Sequence, residues 1–259
     1  SLSVHTPKRK DIMKISGNTI LITGGGSGIG RELAHRWHDL GNTVIVAGRT
    51  ESALAETAAG HANIHPMVFD VADTADIARF AEAVLAAHPA LNVLVNNAGI
   101  MRFEDNTGAR DLADAEATIA INLLGPIRLT DALIDHLKAQ DDAAIVNVTS
   151  GLAFVPMPRT ATYSATKAAM HSYTVSLRAK LEGQVEIIEI APPAVQTELT
   201  PGQSTRDGYM PLDQFIDETM QSFEWEETPA EVLTNNVLFL RNAEAEGRFA
   251  EALEMTKQF

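Results

Sequence analysis

The stretch TILITGGGSGIG, residues Thr19–Gly30, joins an apolar strand pattern directly to the start of a helix. Gly24, Gly28 and Gly30 stand in a G-x-x-x-G-x-G spacing, which differs from the G-x-G-x-x-G dinucleotide fingerprint. Glycine tolerates positive φ and leaves no Cβ between backbone and ligand, so a pyrophosphate can approach the N–H groups at a helix N-terminus. The stretch predicts a dinucleotide-binding turn that includes Ser27 and Ile29, although a Gly-rich turn that only packs strand on helix has the same sequence pattern.

Apolar runs alternate with helix-period stretches along the rest of the chain, and this alternation predicts a doubly wound parallel sheet with helices on both faces. About seven such units are expected in a single α/β domain. The predicted strands are Thr19–Ile22, Thr43–Ala47, Ile64–Phe69, Val93–Val95, Ala143–Val148 and Val185–Ile190. The predicted helices are Ile29–Leu40, Glu51–Ala59, Thr74–Ala87, Asp111–Lys138, Ala161–Leu181 and Pro229–Arg241. The segment after residue 191 is rich in Pro and Gly and predicts a loop, as in a lid over a site, and Gly247–Phe259 gives no clear strand.

Composition and charge limit the classes of protein to which the chain can belong. The 259 residues are 45% hydrophobic and 21% charged, which is typical of a globular protein. The net charge of −14 disfavours nucleic acid and anionic membrane surfaces as partners. No run reaches the roughly 18 uninterrupted apolar residues of a membrane helix.

The absence of cysteine excludes disulfides and thiolate metal sites and fits a cytoplasmic location. No carboxylate pair accompanies the histidines in a pattern typical of metal ligands, so no metal site is predicted. Residues 1–12 are interpreted as a loose tail or an expression remnant, and the domain is expected to occupy residues 13–259.

The end of the second predicted strand, VAGRT, bears on the choice of cofactor. Gly48 stands where enzymes that prefer the non-phosphorylated cofactor usually carry an acid that binds the ribose. Arg49 follows and suits the 2′-phosphate of NADP, to which Ser27 can add a hydroxyl donor. The alternative is a solvated Arg49 with Glu51 reaching the ribose, and NAD therefore stays possible.

A second group of residues carries acid–base chemistry. Tyr163 and Lys167 in YSATK are four residues apart in a predicted helix, so both side chains lie on one face and the ammonium can lower the pKa of the phenol. Ser150 closes the strand pattern IVNVTS, at the end of a strand where open α/β sheets bind ligands. Its hydroxyl can hold a substrate oxygen that Tyr163 protonates. Taken singly, a Tyr–Lys pair is more often a surface pair, and a serine after a strand is more often a turn former.

These motifs together resemble the short-chain dehydrogenase/reductase family from about Ile15 to Arg241. The matching elements are TGGGSGIG, Asp70–Val71, NNAG at Asn96–Gly99, INLLGP around Asn122, Ser150, and YSATK thirteen positions after Ser150. SGLAFVPM and APPAVQTEL resemble the DltE-like branch of that family. The resemblance implies a Rossmann-like fold and an NADP(H)-dependent oxidoreductase acting on a carbonyl or secondary alcohol.

The resemblance also implies a role for individual residues. Tyr163 would be the general acid/base, Ser150 would orient the carbonyl, Lys167 would hold the nicotinamide ribose and lower the Tyr163 pKa, and Asn122 would anchor a water. The alternative role of Asn122 is that its side-chain amide kinks or caps a helix. The remaining implied cofactor contacts are Asp70 and Val71 beside the adenine, Asn97, Ala98 and Gly99 along the cofactor path, and Pro192, Val195 and Thr197 near the nicotinamide.

Two departures from the family pattern stand out. Pro193 replaces a glycine in PPAVQT, and proline fixes φ and removes a donor, but the DltE-like branch shows the same double proline. The family's last strand is not recognisable in the C-terminal segment.

On the substrate side, apolar residues are expected to border the cleft, and Arg102 is a candidate for a substrate carboxylate or an exposed loop residue. These apolar residues are Met101, Phe154, Val155, Met157 and Leu199. Family members usually assemble through their two long helices, here Asp111–Lys138 and Ala161–Leu181, so a homotetramer or homodimer is expected. Two other functions stay open: a non-catalytic dinucleotide-binding regulator or scaffold, and a halohydrin dehalogenase, which the preserved glycines disfavour.

Overall fold

Seven parallel strands form one sheet in the order β3-β2-β1-β4-β5-β6-β7 in a computed structural model that describes residues 13–258. The strands are β1 Thr19–Thr23, β2 Thr43–Gly48, β3 Ile64–Val68, β4 Val93–Asn96, β5 Ala144–Val148, β6 Glu186–Ile190 and β7 Glu231–Val232. The six predicted strands are confirmed, each within one residue at either end. Residue 259 and the predicted tail, residues 1–12, lie outside the described residues.

The chain order of the strands reverses beside β1, which pairs with β2 on one side and with β4 on the other. At such a switch point the loops leave the carboxyl ends of the two strands in opposite directions and open a crevice that binds ligands. The glycine turn follows β1 directly, so the fold places it at the mouth of this crevice.

Nine α-helices connect or cover the strands of the described part. They are α1 Gly28–Asp39, α2 Glu51–Ala58, α3 Thr74–Ala87, α4 Ala113–Ile119, α5 Gly125–Lys138, α6 Ala161–Lys180, α7 Leu212–Phe223, α8 Leu238–Arg241 and α9 Phe249–Thr256. A π-helical turn, Ala120–Leu124, joins α4 to α5. Short 3₁₀ turns occupy Gly151–Ala153, Pro158–Thr160, Gln203–Thr205 and Asn235–Val237.

Each face of the sheet carries its own hydrophobic core. On one face Trp37 of α1 packs edge-on against Phe223 of α7, with ring centroids 5.4 Å apart. On the other, Phe69 and Phe80 stack at 4.1 Å, and leucines of α5 join them. Strands rich in Val and Ile suit a sheet that is buried on both sides.

One continuous helical segment, Ala113–Lys138, is long and apolar enough to cross a membrane by length and composition alone, and 44% of its most apolar window is buried. Leu129, Leu133 and Leu137 are fully buried in the core beneath the sheet. This i, i+4, i+8 stripe is typical of a helix that covers a sheet.

Two helix predictions and one loop prediction are wrong in part. The predicted helix Asp111–Lys138 begins at Ala113 and contains the π-helical turn. The predicted helix Pro229–Arg241 contains instead the two-residue strand β7, a 3₁₀ turn and the short α8. The segment predicted as a loop after residue 191 contains α7, whose Phe215, Ile216 and Met220 are buried in the core.

Candidate active site

The glycine turn after β1 is packed too closely for side chains. Gly24 has a φ of +67°, and a Cβ there would lie 2.8 Å from the Cα of Ala98. A Cβ on Gly30 would lie 2.4 Å from the carbonyl oxygen of Gly24 and 2.5 Å from Nδ2 of Asn97. Gly30 therefore serves helix–strand packing, while Gly24 and Gly28 line the cleft.

Thr23 and Asn97 tie the glycine turn to the loop after β4. The backbone N–H groups of Asn97 and Ala98 donate to Oγ1 of Thr23 at 3.1 and 3.0 Å. Nδ2 of Asn97 returns a hydrogen bond to the Thr23 carbonyl at 3.0 Å. These bonds fix the two walls of the crevice, so a ligand would meet a largely preformed site.

Two adjoining cavities follow this crevice and share Gly24, Ser27, Ala98, Gly99 and Ile100. The first, of about 210 Å³, extends under α2 to Arg49, Phe69 and Val71. The second, of about 360 Å³, extends to the catalytic candidates. Its further lining includes Ile29, Asn97, Ser150, Tyr163, Lys167, Pro192, Val195 and Thr197. An elongated cleft over a glycine turn that admits no Cβ fits a dinucleotide.

Arg49 is exposed at the rim of the first cavity, beside Gly48 and close to Ser27. Ser27 is the N-cap residue of α1, but its hydroxyl makes no capping hydrogen bond. Glu51 opens α2 and does not line either cavity. An unpaired hydroxyl and a guanidinium at one end of the cleft can both donate to an anionic group.

Asp70 and Asn122 do not line the cleft directly. Asp70 accepts a hydrogen bond from the Ala72 backbone at 2.9 Å, while its neighbour Val71 reaches the cavity. Asn122 lies in the π-helical turn, where Oδ1 accepts from Ile100 N at 2.9 Å and Nδ2 donates to Ile100 O at 2.8 Å. Both amide atoms thus hold the loop after β4, one residue beyond Gly99.

Ser150, Tyr163 and Lys167 meet at the floor of the second cavity. Burial raises the pKa of the Tyr163 phenol to about 12, and a hydrogen bond with Ser150 opposes this shift. The Ser150 hydroxyl also accepts from Leu152 N at 3.1 Å. The sequence-based prediction of a lowered Tyr163 pKa is wrong for this structure, because desolvation of the phenolate dominates.

Lys167 lies beside Tyr163, with Nζ 5.5 Å from the centre of the phenol ring. Nζ donates a hydrogen bond of 2.9 Å to the carbonyl of Val148, at the end of β5. Burial lowers the pKa of Lys167 to about 8, and the charge of Glu189 acts in the opposite direction. The helix thus brings the two side chains together as the i, i+4 spacing predicts.

Glu104, from the loop after β4, fixes the start of the helix that carries Tyr163 and Lys167. Its almost buried carboxylate accepts from Thr162 N at 2.7 Å and from Thr162 Oγ1 at 2.8 Å. Arg110 pairs with the same carboxylate at 2.7 Å. An acidic group at a helix N-terminus satisfies free N–H groups and interacts favourably with the helix dipole.

The double-proline segment is held by Thr197 and Gln203. The Thr197 hydroxyl accepts from Leu199 N at 3.3 Å and from Nε2 of Gln203 at 3.3 Å. Nε2 of Gln203 also donates to the Val195 carbonyl at 2.8 Å. Pro193 therefore replaces the family glycine without opening the cleft, and its ring lines the cavity.

A third cavity of about 310 Å³ opens from Ser150 and Tyr163 and is mainly apolar. The predicted residues Met101, Met157 and Leu199 line it. Phe154 and Val155 do not: Phe154 packs on His171 and under Arg241, and Val155 joins a small core with α9. Apolar lining residues that sequence reasoning missed are Leu152, Tyr209, Met210, Phe239, Leu240 and Met255.

Arg102 lines the second cavity and lies 3.7 Å from the exposed carboxylate of Asp114. The guanidinium is about half exposed. Both interpretations of this residue from the sequence, a substrate contact and a loop arginine, are compatible with this position.

Within residues 13–258, two groups of side chains are close enough to share a metal ion, whereas the sequence predicted no metal site. They are His38, Asp39 and His61 at the surface, and His171, Glu189 and Glu231 beneath α6. In the second group Arg241 binds Glu231 through two hydrogen bonds of 2.6 and 3.0 Å. The fold, rather than sequence spacing, brings Glu189 and Glu231 together, and Arg241 already compensates the charge of Glu231.

Comparison with known proteins adds to this geometry. The sequence profile of the short chain dehydrogenases matches residues 18–207. The chain is 47% identical over 197 residues to the uncharacterized oxidoreductase DltE of Bacillus subtilis (strain 168), covering 75% of this chain and 77% of DltE.

Solved structures agree over longer stretches. A short chain dehydrogenase from Burkholderia cenocepacia J2315 in complex with NADP has a TM-score of 0.78 at 25% identity, covering 93% of this chain and 98% of that one. A 3-ketoacyl-(acyl-carrier-protein) reductase from Brucella melitensis complexed with NADH has a TM-score of 0.72 at 26% identity, covering 79% and 89%. Neighbours of this fold thus include proteins solved with either nicotinamide cofactor.

Proposed function

This chain belongs to the short-chain dehydrogenase/reductase family and is similar to DltE. We propose that it is an NADP(H)-dependent reductase of apolar carbonyl compounds. The family uses NAD(P) in the interconversion of alcohols and carbonyls. The observation that carries the proposal is the continuity of the three cavities: the dinucleotide cleft and the apolar cavity meet at Ser150 and Tyr163.

Different residues of the cleft are proposed to bind different parts of the cofactor. The Ser27 hydroxyl and the Gly28 N–H lie at the start of α1, where a pyrophosphate is favoured, and Gly24 lines the turn before them. Val71, Ala98 and Gly99 line the path toward the floor of the cleft. Thr197 and Val195 border the far end. A reduced nicotinamide bound here would supply the hydride.

Tyr163 is proposed as the proton donor. Its phenol is buried and its pKa is raised to about 12, so it remains protonated across the physiological range. In reduction the phenol O–H gives its proton to the carbonyl oxygen while the carbonyl carbon receives the hydride, and the product is an alcohol. Ser150, within hydrogen-bond reach of Tyr163, would orient the same oxygen.

Lys167 and Asn122 are proposed to support this proton transfer. Lys167 reaches the cleft floor, where it would hold the nicotinamide ribose and present an ammonium beside the phenol. Asn122 holds both backbone groups of Ile100 and so keeps the neighbouring Gly99 in the cleft wall. The implied water anchor at Asn122 stays a prediction.

The 2′-phosphate of NADP is proposed to meet Arg49 and Ser27. Gly48 leaves no acid at the end of β2 to bind the ribose hydroxyls or to repel a phosphate. In a chain with a net charge of −14, a local guanidinium is the feature that can recruit an additional anionic group.

The apolar cavity supports a substrate with a sizeable hydrocarbon or aromatic part next to its carbonyl group. Met101, Met157 and Met255 give a flexible lining that adapts to different shapes. Polar groups at the mouth, Ser150 and Tyr163, would fix the orientation of the carbonyl.

A homo-oligomer is proposed to form through the two long helical segments, Ala113–Lys138 and α6. Four large apolar side chains there are more than a third exposed: Leu112 just before α4, Ile119 at its end, Leu124 at the end of the π-helical turn, and Val175 on α6. Exposed large apolar side chains on these two segments favour an interaction surface. Sedimentation of Val175→Asp beside the unsubstituted protein would show dissociation, and a stable unsubstituted monomer would contradict the assembly.

The function is tested in two stages with the purified full chain. Calorimetry with NADP, NADPH, NAD and NADH is expected to give at least tenfold tighter binding of the phosphorylated pair, by about 1.4 kcal/mol or more. A panel of aromatic, long-chain and polar aldehydes and ketones is then followed through the absorbance of NADPH, and apolar compounds are expected to turn over fastest. Binding without turnover on any carbonyl would favour the alternative of a dinucleotide-binding regulator.

A further inference from the structure

Glu189 is a fully buried acid, the fourth of the five residues of β6, and the other buried residues of that strand are isoleucines. It pairs in register with Asn147 of β5, whose Nδ2 donates to Thr174 of α6. Residues paired across a parallel ladder point to the same face, and the Glu189 carboxylate likewise lies beneath α6. A buried carboxylate is costly unless it is hydrogen bonded and its charge is compensated.

Two side chains hold this carboxylate directly. Oγ1 of Thr149 donates to Oε1 at 2.6 Å. Nδ1 of His171 lies 2.8 Å from Oε2 and 3.1 Å from Oε1. The ring of His171 is kept in place by Phe154, which packs edge-on against it at a centroid distance of 4.9 Å.

Both partners of Glu189 adjoin the candidate active site. Thr149 precedes Ser150 and follows Val148, the residue whose carbonyl accepts from Lys167. His171 is one helical turn beyond Lys167, which is itself one turn beyond Tyr163. A single stripe along α6 therefore carries the phenol, the ammonium and the imidazole toward the buried acid.

The other charged groups around Glu189 are Glu231 of β7, Arg241 of α8 and Arg178 of α6. Glu231 is paired with Arg241, and this ion pair lowers the pKa of Glu231 and raises that of Arg241. Arg178 of α6 donates to the carbonyls of Ile187 and Ala230. Glu231 and Arg241 compensate each other, and Arg241 also interacts with the charge of Glu189. The buried ammonium of Lys167 lies one helical turn before His171, the residue that binds Glu189, and it too interacts with that charge.

We propose that Glu189 is a positioning residue, whose carboxylate, fixed by His171 and Thr149, is the buried counter-charge that keeps Lys167 protonated. Burial of Lys167 favours the neutral amine, and the negative charge of Glu189 opposes this effect. The consequence for turnover rests on the proposed function: a protonated Lys167 is the form that can hold a ribose by donating hydrogen bonds and can support negative charge on Tyr163. The charge coupling itself does not depend on that function.

The test is a direct titration of Lys167 in the folded full chain. Protein labelled with ¹³C-lysine is titrated from pH 6 to 11, and the Lys167 Cε signal is assigned by its absence in Lys167→Met. The midpoint is expected near 8 in the unsubstituted protein. In Glu189→Gln, which keeps the shape and removes the charge, the midpoint is expected to fall by about one pH unit.

Three further variants separate charge from structure. Glu231→Gln removes a carboxylate of the same neighbourhood that is already paired with Arg241, and is expected to leave the Lys167 midpoint unchanged. Glu189→Asp keeps the negative charge, so its Lys167 midpoint is expected to stay close to that of the unsubstituted protein. His171→Gln removes one hydrogen-bond partner of the Glu189 carboxylate at a partly exposed position, and the Lys167 midpoint is expected to fall by less than in Glu189→Gln. If Glu189→Gln does not fold, His171→Gln replaces it as the test.

An unchanged Lys167 midpoint in the folded Glu189→Gln and His171→Gln proteins would overturn the proposal. So would an equal fall in Glu231→Gln, because the effect would then come from general disturbance of the cluster. A protein that reduces no carbonyl compound but shows the predicted shift would refute the proposed function and leave the charge coupling intact. In active protein, the alkaline limb of kcat/KM is expected to move with the Lys167 midpoint.

Discussion

The ammonium of Lys167 donates a hydrogen bond of 2.9 Å to the carbonyl of Val148, the last residue of β5. This bond ties α6 to the carboxyl end of the sheet, two residues before Ser150. It holds Lys167 at the floor of the cleft with Nζ 5.5 Å from the Tyr163 ring. The pair therefore combines a protonated phenol, with a pKa of about 12, and an amine that titrates near 8.

These two pKa values set the pH dependence of reduction. Tyr163 keeps its proton well above neutral pH, so loss of the proton donor is not expected below about pH 11. Lys167 loses its charge as the pH rises through about 8, because burial lowers its pKa. kcat/KM for reduction is expected to be flat from pH 6 to 7 and to fall above 8. A profile that stays flat to pH 10 would contradict a role for charged Lys167.

Arg49 is expected to determine the preference for NADP. Arg49→Ala removes the exposed guanidinium at the rim of the first cavity, and loss of a charge-assisted hydrogen bond of about 1.5–3 kcal/mol should weaken NADP binding roughly 10- to 100-fold. NAD binding should change little. Arg79→Ala, on the surface of α3, is the control, and calorimetry is the measurement. Equal losses for both cofactors would argue against a phosphate contact.

Gly30 is expected to tolerate no side chain. In Gly30→Ala the new Cβ would lie 2.4 Å from the Gly24 carbonyl oxygen, so the turn must shift, with a loss of about 1–3 kcal/mol in the free energy of unfolding. Cofactor affinity should fall by more than tenfold. Gly108→Ala, where a Cβ meets open space, is the matched control. Denaturant unfolding and a cofactor titration measure the two effects. Unchanged cofactor affinity in Gly30→Ala would show that the turn can accommodate a methyl group.

Asn122 is expected to contribute to stability apart from any role in turnover. Asn122→Ala leaves the N–H and carbonyl groups of Ile100 without their side-chain partners, a loss of about 1–3 kcal/mol. Urea unfolding of this variant beside Asn235→Ala, at an exposed position, gives the comparison. Equal stabilities would mean that the loop after β4 is held by other contacts.

The positions of the site and its elements were largely predictable from the sequence. Six strands have strong apolar patterns, and Thr23–Gly30 and Tyr163–Lys167 have distinctive spacing. The helix α7 was missed because Pro201, Gly202 and Pro211 suggested a loop, although Phe215, Thr219 and Phe223 carry a helical repeat.

Other features depend on tertiary structure alone. The strand β7 has two residues and no local signal; it exists because Glu231 and Val232 pair with the edge of β6. The contact between Glu189 and His171 arises because β6 passes beneath α6. The raised pKa of Tyr163 reflects burial, which a spacing of four residues does not reveal.

The most direct test of the account compares two tyrosines of the same helix. Tyr163→Phe removes the proposed proton donor, and kcat for carbonyl reduction is expected to fall by about 10² to 10⁴ or more, while NADPH affinity measured by calorimetry stays within about twofold. Tyr173→Phe removes a partly buried phenol whose pKa burial also raises to about 12, and it should leave both quantities unchanged. Full turnover by Tyr163→Phe would contradict proton donation by Tyr163.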